Sequence, residues 1–437
     1  MDDKELIDIL IPFNFWKRKP YTGIPRPEYI DRIEKLSSSE QILVAKGVRR
    51  CGKTTILFQF LDHLIKDRNM DPKRTLYMNF EDPRLPIEEG TKLLDRVIKA
   101  HRALIDPKGL TYLVLDEVQR LSGWERWCRI HFDMKQQFRI IVSGSSSKLL
   151  SKELATLLTG RHIDLEVFPL NLSEYFRFNN LDPDSIMDPE VADALASEFI
   201  SAPMFPQVAL TKEQDVKEIM LHNIYRDIIE HDIARRYEIR EIDKLESVAN
   251  MVMSSVPGPV TITSVRKNMQ NRISLDSVNR YFKYLQEPYL LFFVNTYSYK
   301  QKELERGPRK VYSIDGGLLQ VVSHRFSANR GKLFENAVFL DLRREGYEIF
   351  RYKGRSEVDF LAWDRGGLIS IINACLDISD ENTKEREIKG LREVMKEYGR
   401  DTSFLVTLRE NEEITVPEGS IKMVPYRQWA LNLCRSL

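Results

Sequence analysis

The sequence predicts an α/β chain: an N-terminal parallel sheet with helices on both faces, then a mainly helical stretch, then a second α/β region. Three observations carry this. From about Gln41 to Val167, short apolar runs (QILVA, RTLYMNF, TYLVLDEV, RIIVS) alternate with helical patterns such as KTTILFQFLDHLIK. Strands that are apolar along their whole length are buried on both faces, which is the mark of a parallel sheet covered by helices. From about Asn171 to Gln320 the pattern is mainly helical, with a break at Pro257-Gly258-Pro259. After Ser327, LFENAVFLDLRREG reads as a helix, whereas EVDFLAW, LISIINACL and SFLVTL read as strands.

At 437 residues the chain exceeds the length over which one hydrophobic core usually grows, so two or three domains are expected. No fixed-period repeat or low-complexity tract is present, which sets solenoid and disordered readings aside. Lys+Arg 66 against Asp+Glu 65 leaves a formal net charge of +1, so global charge gives no argument for nucleic acid, while a local basic patch stays open. The cysteines, Cys51, Cys128, Cys375 and Cys434, are too far apart for a zinc set or a disulfide framework and read as free thiols in a reducing compartment. No apolar run reaches the ~18 to 20 residues that span a bilayer, and MDDKELIDIL is acidic where a signal peptide is basic. The expectation is a cytoplasmic protein with no membrane partner.

Gly47-Val48-Arg49-Arg50-Cys51-Gly52-Lys53-Thr54 fits G-x-x-x-x-G-K-[ST] in full, directly after one of the apolar strands and directly before an amphipathic helix. Such a loop cradles phosphates because glycines let the backbone approach closely, successive N–H groups and the helix N-terminus supply positive potential, and the lysine adds a full charge. ATP with Mg²⁺ is the expected ligand pair, bound by Gly47, Arg49, Arg50, Cys51, Gly52, Lys53, Thr54 and Thr55, with the Thr54 hydroxyl on the metal. A second motif, Tyr112-Leu113-Val114-Leu115-Asp116-Glu117, ends a buried strand in two carboxylates. Asp116 is expected to hold the metal's shell, and Glu117 to polarise the attacking water.

A third strand ends in Ser143-Gly144-Ser145-Ser146-Ser147, at the sheet edge where open α/β folds bind ligands. Ser143 either senses the γ-phosphate or belongs to a turn capping the next helix. Arg161, in LLTGR, is either an ordinary exposed arginine or a mobile cation for transition-state charge, acting in cis or from a neighbouring subunit.

In their order, GVRRCGKTT, LVLDEVQRLSGWE, SGSSSKLLS, LLTGR and FPLNLSEYF resemble the archaeal and bacterial AAA-type ATPases (AAA_14-like) that carry a DUF4143 C-terminal region, over nearly the whole chain. The resemblance implies an ASCE, AAA+-like core with Glu117 as catalytic base and Arg161 in a conspicuous position. It also places Asn79-Phe80-Glu81-Asp82-Pro83-Arg84 near the nucleotide without assigning a role, and puts Val where this chain has Cys51. The implied division is a core with an N-terminal extension (1–170), a helical linker or lid (171–240), a winged helix-turn-helix (241–320) and a nuclease-like α/β domain (321–437).

In the winged-helix region, Thr263 to Arg266 open one helix and Leu275 to Tyr281 lie on the next. Arg280, Lys283, Lys300, Lys302, Arg306, Arg309 and Lys310 then offer a grip on a DNA backbone, against which stand Asp276, Glu303 and Glu305. Protein contact, packing and self-association remain alternatives for such a module. The last region resembles a restriction-endonuclease fold, whose site needs a helix glutamate, a strand aspartate and Glu/Gln-x-Lys on the next strand. Glu335, Glu357 and Asp359 supply the first part. Asn373 and Cys375 stand at the last acidic and lysine positions, so the expectation is an inactive nuclease fold unless Lys384 or Arg386 substitutes in space.

Overall fold

The computed structural model describes residues 1–135, 137–144, 158–183, 188–298, 307–323 and 330–436. Ser145, Ser146, Ser147, Lys300, Lys302, Glu303, Glu305 and Arg306 therefore lie outside the described residues. Internal contacts divide the chain into two units, Met1–Val167 and Phe168–Leu437.

In the first unit the elements follow as α1 (Asp3–Leu10), α2 (Pro27–Ser37), β1 (Ile42–Lys46), α3 (Lys53–Lys66), β2 (Thr75–Asn79), α4 (Thr91–Leu104), β3 (Thr111–Asp116), α5 (Trp124–Asp133), β4 (Phe138–Ser143) and β5 (His162–Glu166). The strands stand in the order β2-β3-β4-β1-β5, and every neighbouring pair is parallel. Alternate strand residues feed two cores, as the pleat requires. Ile42, Val44, Leu76, Met78, Leu113, Leu115 and Val142 pack with Leu93 and Val97 of α4 and Trp124 and Trp127 of α5. On the other face, Phe58 and Phe60 of α3 meet the rings of Tyr77 and Tyr112. Because all five strands run the same way, the carboxyl ends of β1, β2, β3 and β4 share one edge of the sheet, the edge that carries Gly47, Asn79, Asp116 and Ser143.

The outer strand β2 needs cover for its unpaired backbone, which would otherwise template pairing with another chain. The Asn14 amide supplies it: Oδ1 accepts from the Tyr77 N–H at 2.8 Å and Nδ2 donates to the Tyr77 carbonyl at 3.0 Å. Trp16 Nε1 donates to the Thr75 carbonyl at 2.6 Å.

The second unit continues with α6 (Leu172–Phe178), α7 (Pro189–Phe199), α8 (Pro206–Ala209), α9 (Gln214–Asp227), a π-helical segment Ile228–Ala234, α10 (Ile242–Met253), β6 (Gly258–Val260), α11 (Ile262–Asn268), α12 (Leu275–Gln286), β7 (Leu291–Val294) and β8 (Arg309–Ser313). Strands β6, β8 and β7 form a three-stranded antiparallel sheet beside α11 and α12. Thr261 and Ser264 exchange hydrogen bonds as a capping box for α11, and Ser274 caps α12, so local sequence sets both helix starts.

Next come α13 (Gly316–Val322), α14 (Arg330–Arg344), β9 (Glu348–Lys353), β10 (Glu357–Asp364), β11 (Gly367–Ala374), α15 (Glu381–Tyr398), β12 (Thr402–Thr407), β13 (Glu412–Val416), β14 (Gly419–Pro425) and α16 (Tyr426–Ser436). Their six strands form a mixed sheet ordered β13-β14-β12-β11-β10-β9. Its core joins Val358, Leu361, Ile371, Leu405 and Ile421 to Leu391, Val394 and Met395 of α15. No helix among the described residues is long and apolar enough to cross a membrane.

Candidate nucleotide site

The loop between β1 and α3 takes its shape from two glycines. A Cβ on Gly47 would lie 2.0 Å from the Val167 carbonyl oxygen, so no side chain fits there. Gly52, at φ 98°, adopts the left-handed backbone that starts α3. Lys53 is 7% exposed, and its ammonium donates to the carbonyls of Gly47 at 3.0 Å and Val48 at 3.2 Å. Cys51 is fully buried, and its carbonyl accepts from the Arg26 guanidinium at 2.9 Å. Gln59 on α3 accepts from the Arg26 N–H at 3.0 Å and donates to the carbonyls of Thr22 and Ile24, both at 2.7 Å. Arg26 and Gln59 thus tie the segment before α2 to the loop. Neither carries a motif, so no local signal marks them. Of the remaining loop residues, Arg49 and Thr55 are half-buried and Arg50 is exposed, with φ 65°.

Asp116, 1% exposed, is the hub of the sheet edge. Its Oδ2 accepts from Thr54 Oγ1 at 2.6 Å and from the Tyr77 hydroxyl at 2.7 Å. Its Oδ1 accepts from the Glu117 N–H at 3.1 Å and from the Ser143 hydroxyl in a short contact. The structure thus brings together Thr54, Asp116 and Ser143, from the phosphate loop and two strands. Tyr77 is a residue that sequence reasoning missed, because an aromatic inside a buried strand looks like any core residue. Burial, and after it the Asp116 charge, hold its phenol well above the usual range, so it stays protonated and donates to Asp116. The donor set fits a hard divalent cation, since a hydroxyl and a carboxylate converge beside an ammonium-bearing phosphate loop.

Glu117 sits at φ 52°, an uncommon backbone for a non-glycine residue and one that turns its side chain out of the strand direction. Burial raises its carboxyl above the ordinary range, the Lys53 charge opposes that, and Asp116 adds to it. Its Oε2 accepts from the Gln119 amide at 2.5 Å. The segment Asn79 to Arg84 leaves β2 beside Asp116, whose carbonyl accepts from the Phe80 N–H at 3.0 Å. Arg84 forks onto Asp82, and Arg120 pairs with Glu81 at 2.8 Å.

Arg161 lies elsewhere. Its carbonyl accepts from the Ile42 N–H, at the beginning of β1, whereas the phosphate loop follows the end of that strand. At ~3.3 Å per residue, five strand residues separate the two by roughly 16 Å. Its guanidinium donates to Asp133 at 2.7 Å. The Arg161 side chain thus starts from the opposite edge of the sheet to the phosphate loop.

In the second unit, Lys310 revises two expectations. Its ammonium lies 2.5 Å from Glu335 Oε1 and 2.9 Å from Asp359 Oδ1, with only 14% of the side chain exposed. It is thus enclosed by carboxylates and withdrawn from any DNA-facing role. Cations from α15 do not take that place: Lys384 meets Glu412 at 3.3 Å and Arg386 meets Glu387 at 2.9 Å. The Tyr312 hydroxyl also donates to Glu335, at 2.6 Å. Burial and the neighbouring Asp359 charge push the Glu335 carboxyl up to about 7, while the two carboxylates hold Lys310 protonated. Glu357 does not join them. It is exposed and pairs with Lys353 at 3.0 Å. Asn373 is buried, accepts from the Asp359 N–H at 2.9 Å and donates to Glu387 at 2.7 Å. Among the described residues, no group of three or more His, Cys, Asp or Glu side chains is placed to hold a metal ion.

A five-stranded parallel sheet in this order, with a complete phosphate loop at its carboxyl edge, defines a P-loop core of the AAA type. Residues 39–176 match the family model of the AAA domain AAA_14. The uncharacterized protein MJ1544 of Methanocaldococcus jannaschii is 34% identical over 410 residues, covering 90% of this chain and 88% of that one. The chain belongs to this family of AAA-type P-loop ATPases. Residues 195–329 match a domain of unknown function, DUF8612, in place of the DUF4143 region that the resemblance implied. An uncharacterized protein of Haemophilus influenzae is 29% identical, over 83% of this chain and 89% of its own. Among solved structures, the Walker-type ATPase PABY2304 of Pyrococcus abyssi aligns over 68% of this chain and 95% of its own, at 14% identity and a TM-score of 0.43.

Proposed function

We propose that the protein binds ATP with Mg²⁺ and hydrolyses it. The observation that carries this is the convergence of Thr54, Tyr77 and Ser143 on Asp116, with Glu117 next to it and Lys53 across the loop. Lys53 would release the Gly47 and Val48 carbonyls to meet phosphate oxygens, and Thr54 and Asp116 would hold a divalent metal, which would supply neutralisation of phosphate charge. Ser143 holds Asp116 from β4 at the edge where the γ-phosphate would lie. Glu117 accepts the proton of the attacking water, which requires an ionised carboxylate. Because its pKa is raised, turnover should fall as pH drops through that value. Glu117→Gln should keep ATP bound and lower kcat at least about a hundredfold. Turnover within a few-fold of wild type would remove Glu117 from the base role. Arg161, paired with Asp133 in this chain, is either an ordinary surface arginine or a cation that acts on a neighbouring subunit's nucleotide.

The division of the second unit into a lid (171–240), a winged helix (241–320) and a nuclease-like domain (321–437) is part of this proposal. Support for the winged helix is the succession α10, β6, α11, α12, β7, β8 with a three-stranded antiparallel sheet. Arg280 and Lys283 are both exposed on α12, so DNA is the partner we assign. Replacing both with alanine should weaken duplex binding uniformly across sequences and flatten the salt dependence by about two in slope. An unchanged slope in a fluorescence-anisotropy titration would turn the search to a protein partner. For the nuclease-like domain, the succession of α14, three antiparallel strands, α15 and β12 supports the fold. The Lys310 ammonium between Glu335 and Asp359 argues against hydrolysis, because it fills the place a divalent ion would need.

A further inference from the structure

Gln119 stands two residues beyond the Asp116-Glu117 pair. Its amide is divided between two surroundings. Nε2 donates to Glu117 Oε2 at 2.5 Å, whereas Oε1 is buried and has no hydrogen-bond partner among the described residues. The orientation is chemically forced, since a carboxylate only accepts and only the NH₂ end of the amide can face it. The carbonyl is then turned onto Gly144 at the end of β4, where a Cβ would lie 1.9 Å from Oε1 and 2.9 Å from Cδ. Glycine at 144 is therefore what gives the amide room. No other hydrogen bond reaches Glu117's second oxygen from the described residues, so one carboxylate oxygen is pinned and the other stays open to a proton.

We infer that Gln119 is the positioning residue of this site: lodged over Gly144, it fixes the Glu117 carboxylate so that its open oxygen faces the attacking water. The inference rests on the hydrolytic reading above and deepens it. A purely structural glutamine would be expected to satisfy both ends of its amide. Here one end is committed to the base, and the other is buried without a donor among the described residues. The left-handed backbone at Glu117 adds to this, because it aims the side chain and leaves its terminal rotation for Gln119 to stop.

The test is ATP turnover and separate ATP binding for the full chain as wild type, Gln119→Ala, Gln119→Glu, Gly144→Ala and Glu117→Gln, together with the Gln119→Ala, Glu117→Gln double variant. Gly144→Ala is the steric probe. Gly144 has no left-handed φ that alanine would resist, so its added methyl displaces the Gln119 amide without changing the chemistry of either the Glu117 or the Gln119 side chain. Expected are kcat losses of about tenfold or more in Gln119→Ala and Gly144→Ala, with ATP Kd within about twofold of wild type. Gln119→Glu is isosteric but cannot donate, and should lose at least as much. In the Glu117→Gln background Gln119→Ala should add nothing, because a residue that works through Glu117 has nothing left to position. Unchanged or raised kcat in Gln119→Ala and Gly144→Ala, losses that add in the double variant, or losses that track ATP affinity would each overturn the assignment while wild-type turnover keeps the hydrolytic reading intact. No turnover by the wild type would overturn both.

Discussion

Lys53→Ala is expected to weaken ATP binding about a hundredfold, or ~2.7 kcal/mol, and to abolish turnover at ordinary ATP concentrations. The lysine is 7% exposed and, among the described residues, donates to the Gly47 and Val48 carbonyls, so its charge is held over the loop by neutral acceptors, with the Glu117 carboxyl near enough to feel it. Removing it costs the folded protein two modest hydrogen bonds to carbonyls. It costs the complex a charge-assisted contact to phosphate in a partly desolvated cleft, where such bonds are roughly twice as strong as neutral ones. The loss should therefore fall on binding, with little change in stability. A calorimetric ATP titration, paired with a denaturant melt of each protein, separates the two. Equal affinity in wild type and variant would remove Lys53 from the phosphate site.

The parts of the site that the sequence exposes are those held by local geometry. Gly47, Gly52 and Lys53 sit at fixed spacing on one strand-loop-helix unit, and the requirement for two glycines is met within that unit. Asp116 and Ser143 mark the ends of strands whose unbroken apolar character already implies a parallel sheet. What was not legible arises from contacts across many residues between side chains with no chemical signature of their own. Tyr77 is 39 residues from Asp116. Asn14 reaches β2 across 63 residues, from a segment that carries no motif. Gln119 lay in view inside the DEVQR motif, but its role depends on Gly144, which β4 brings over from a different part of the chain. Lys310 is the sharpest case. With its basic neighbours it reads as a DNA contact, but a charge run describes a surface only when the fold leaves it there. The fold instead turns it inward between Glu335 and Asp359.

Lys310→Met is expected to destabilise the second unit by about 3 to 5 kcal/mol near neutral pH. Methionine keeps the length and apolar stem of lysine, so the packing change is small and the penalty is electrostatic. It leaves the Glu335 and Asp359 carboxylates facing one another, 14% and 21% exposed, without the cation that separated them. Two like charges in such a site cannot both stay ionised at low cost, and the pair would take up a shared proton. The sign follows. Already in the wild type Glu335 is pushed up to about 7, and without Lys310 it should rise further. A carboxyl whose folded pKa exceeds its unfolded value loses stability as pH rises through the folded pKa, because the folded state must then release a proton it holds more tightly. The deficit of Lys310→Met against wild type should therefore shrink on acidification toward about pH 5.5 and be largest above neutrality, whereas a cavity or packing defect would show no such dependence. Glu335→Gln in the Lys310→Met background removes one of the facing charges and should restore much of the stability at high pH. The same reasoning gives the metal response: Lys310→Met frees a two-carboxylate seat and should gain weak Mn²⁺ binding that the wild type lacks and that Glu335→Gln cancels. Denaturant midpoints across pH and a Mn²⁺ paramagnetic-resonance titration measure both. A pH-independent deficit, or wild-type Mn²⁺ binding lost on Glu335→Gln, would show that the ammonium is not the resident cation of this site.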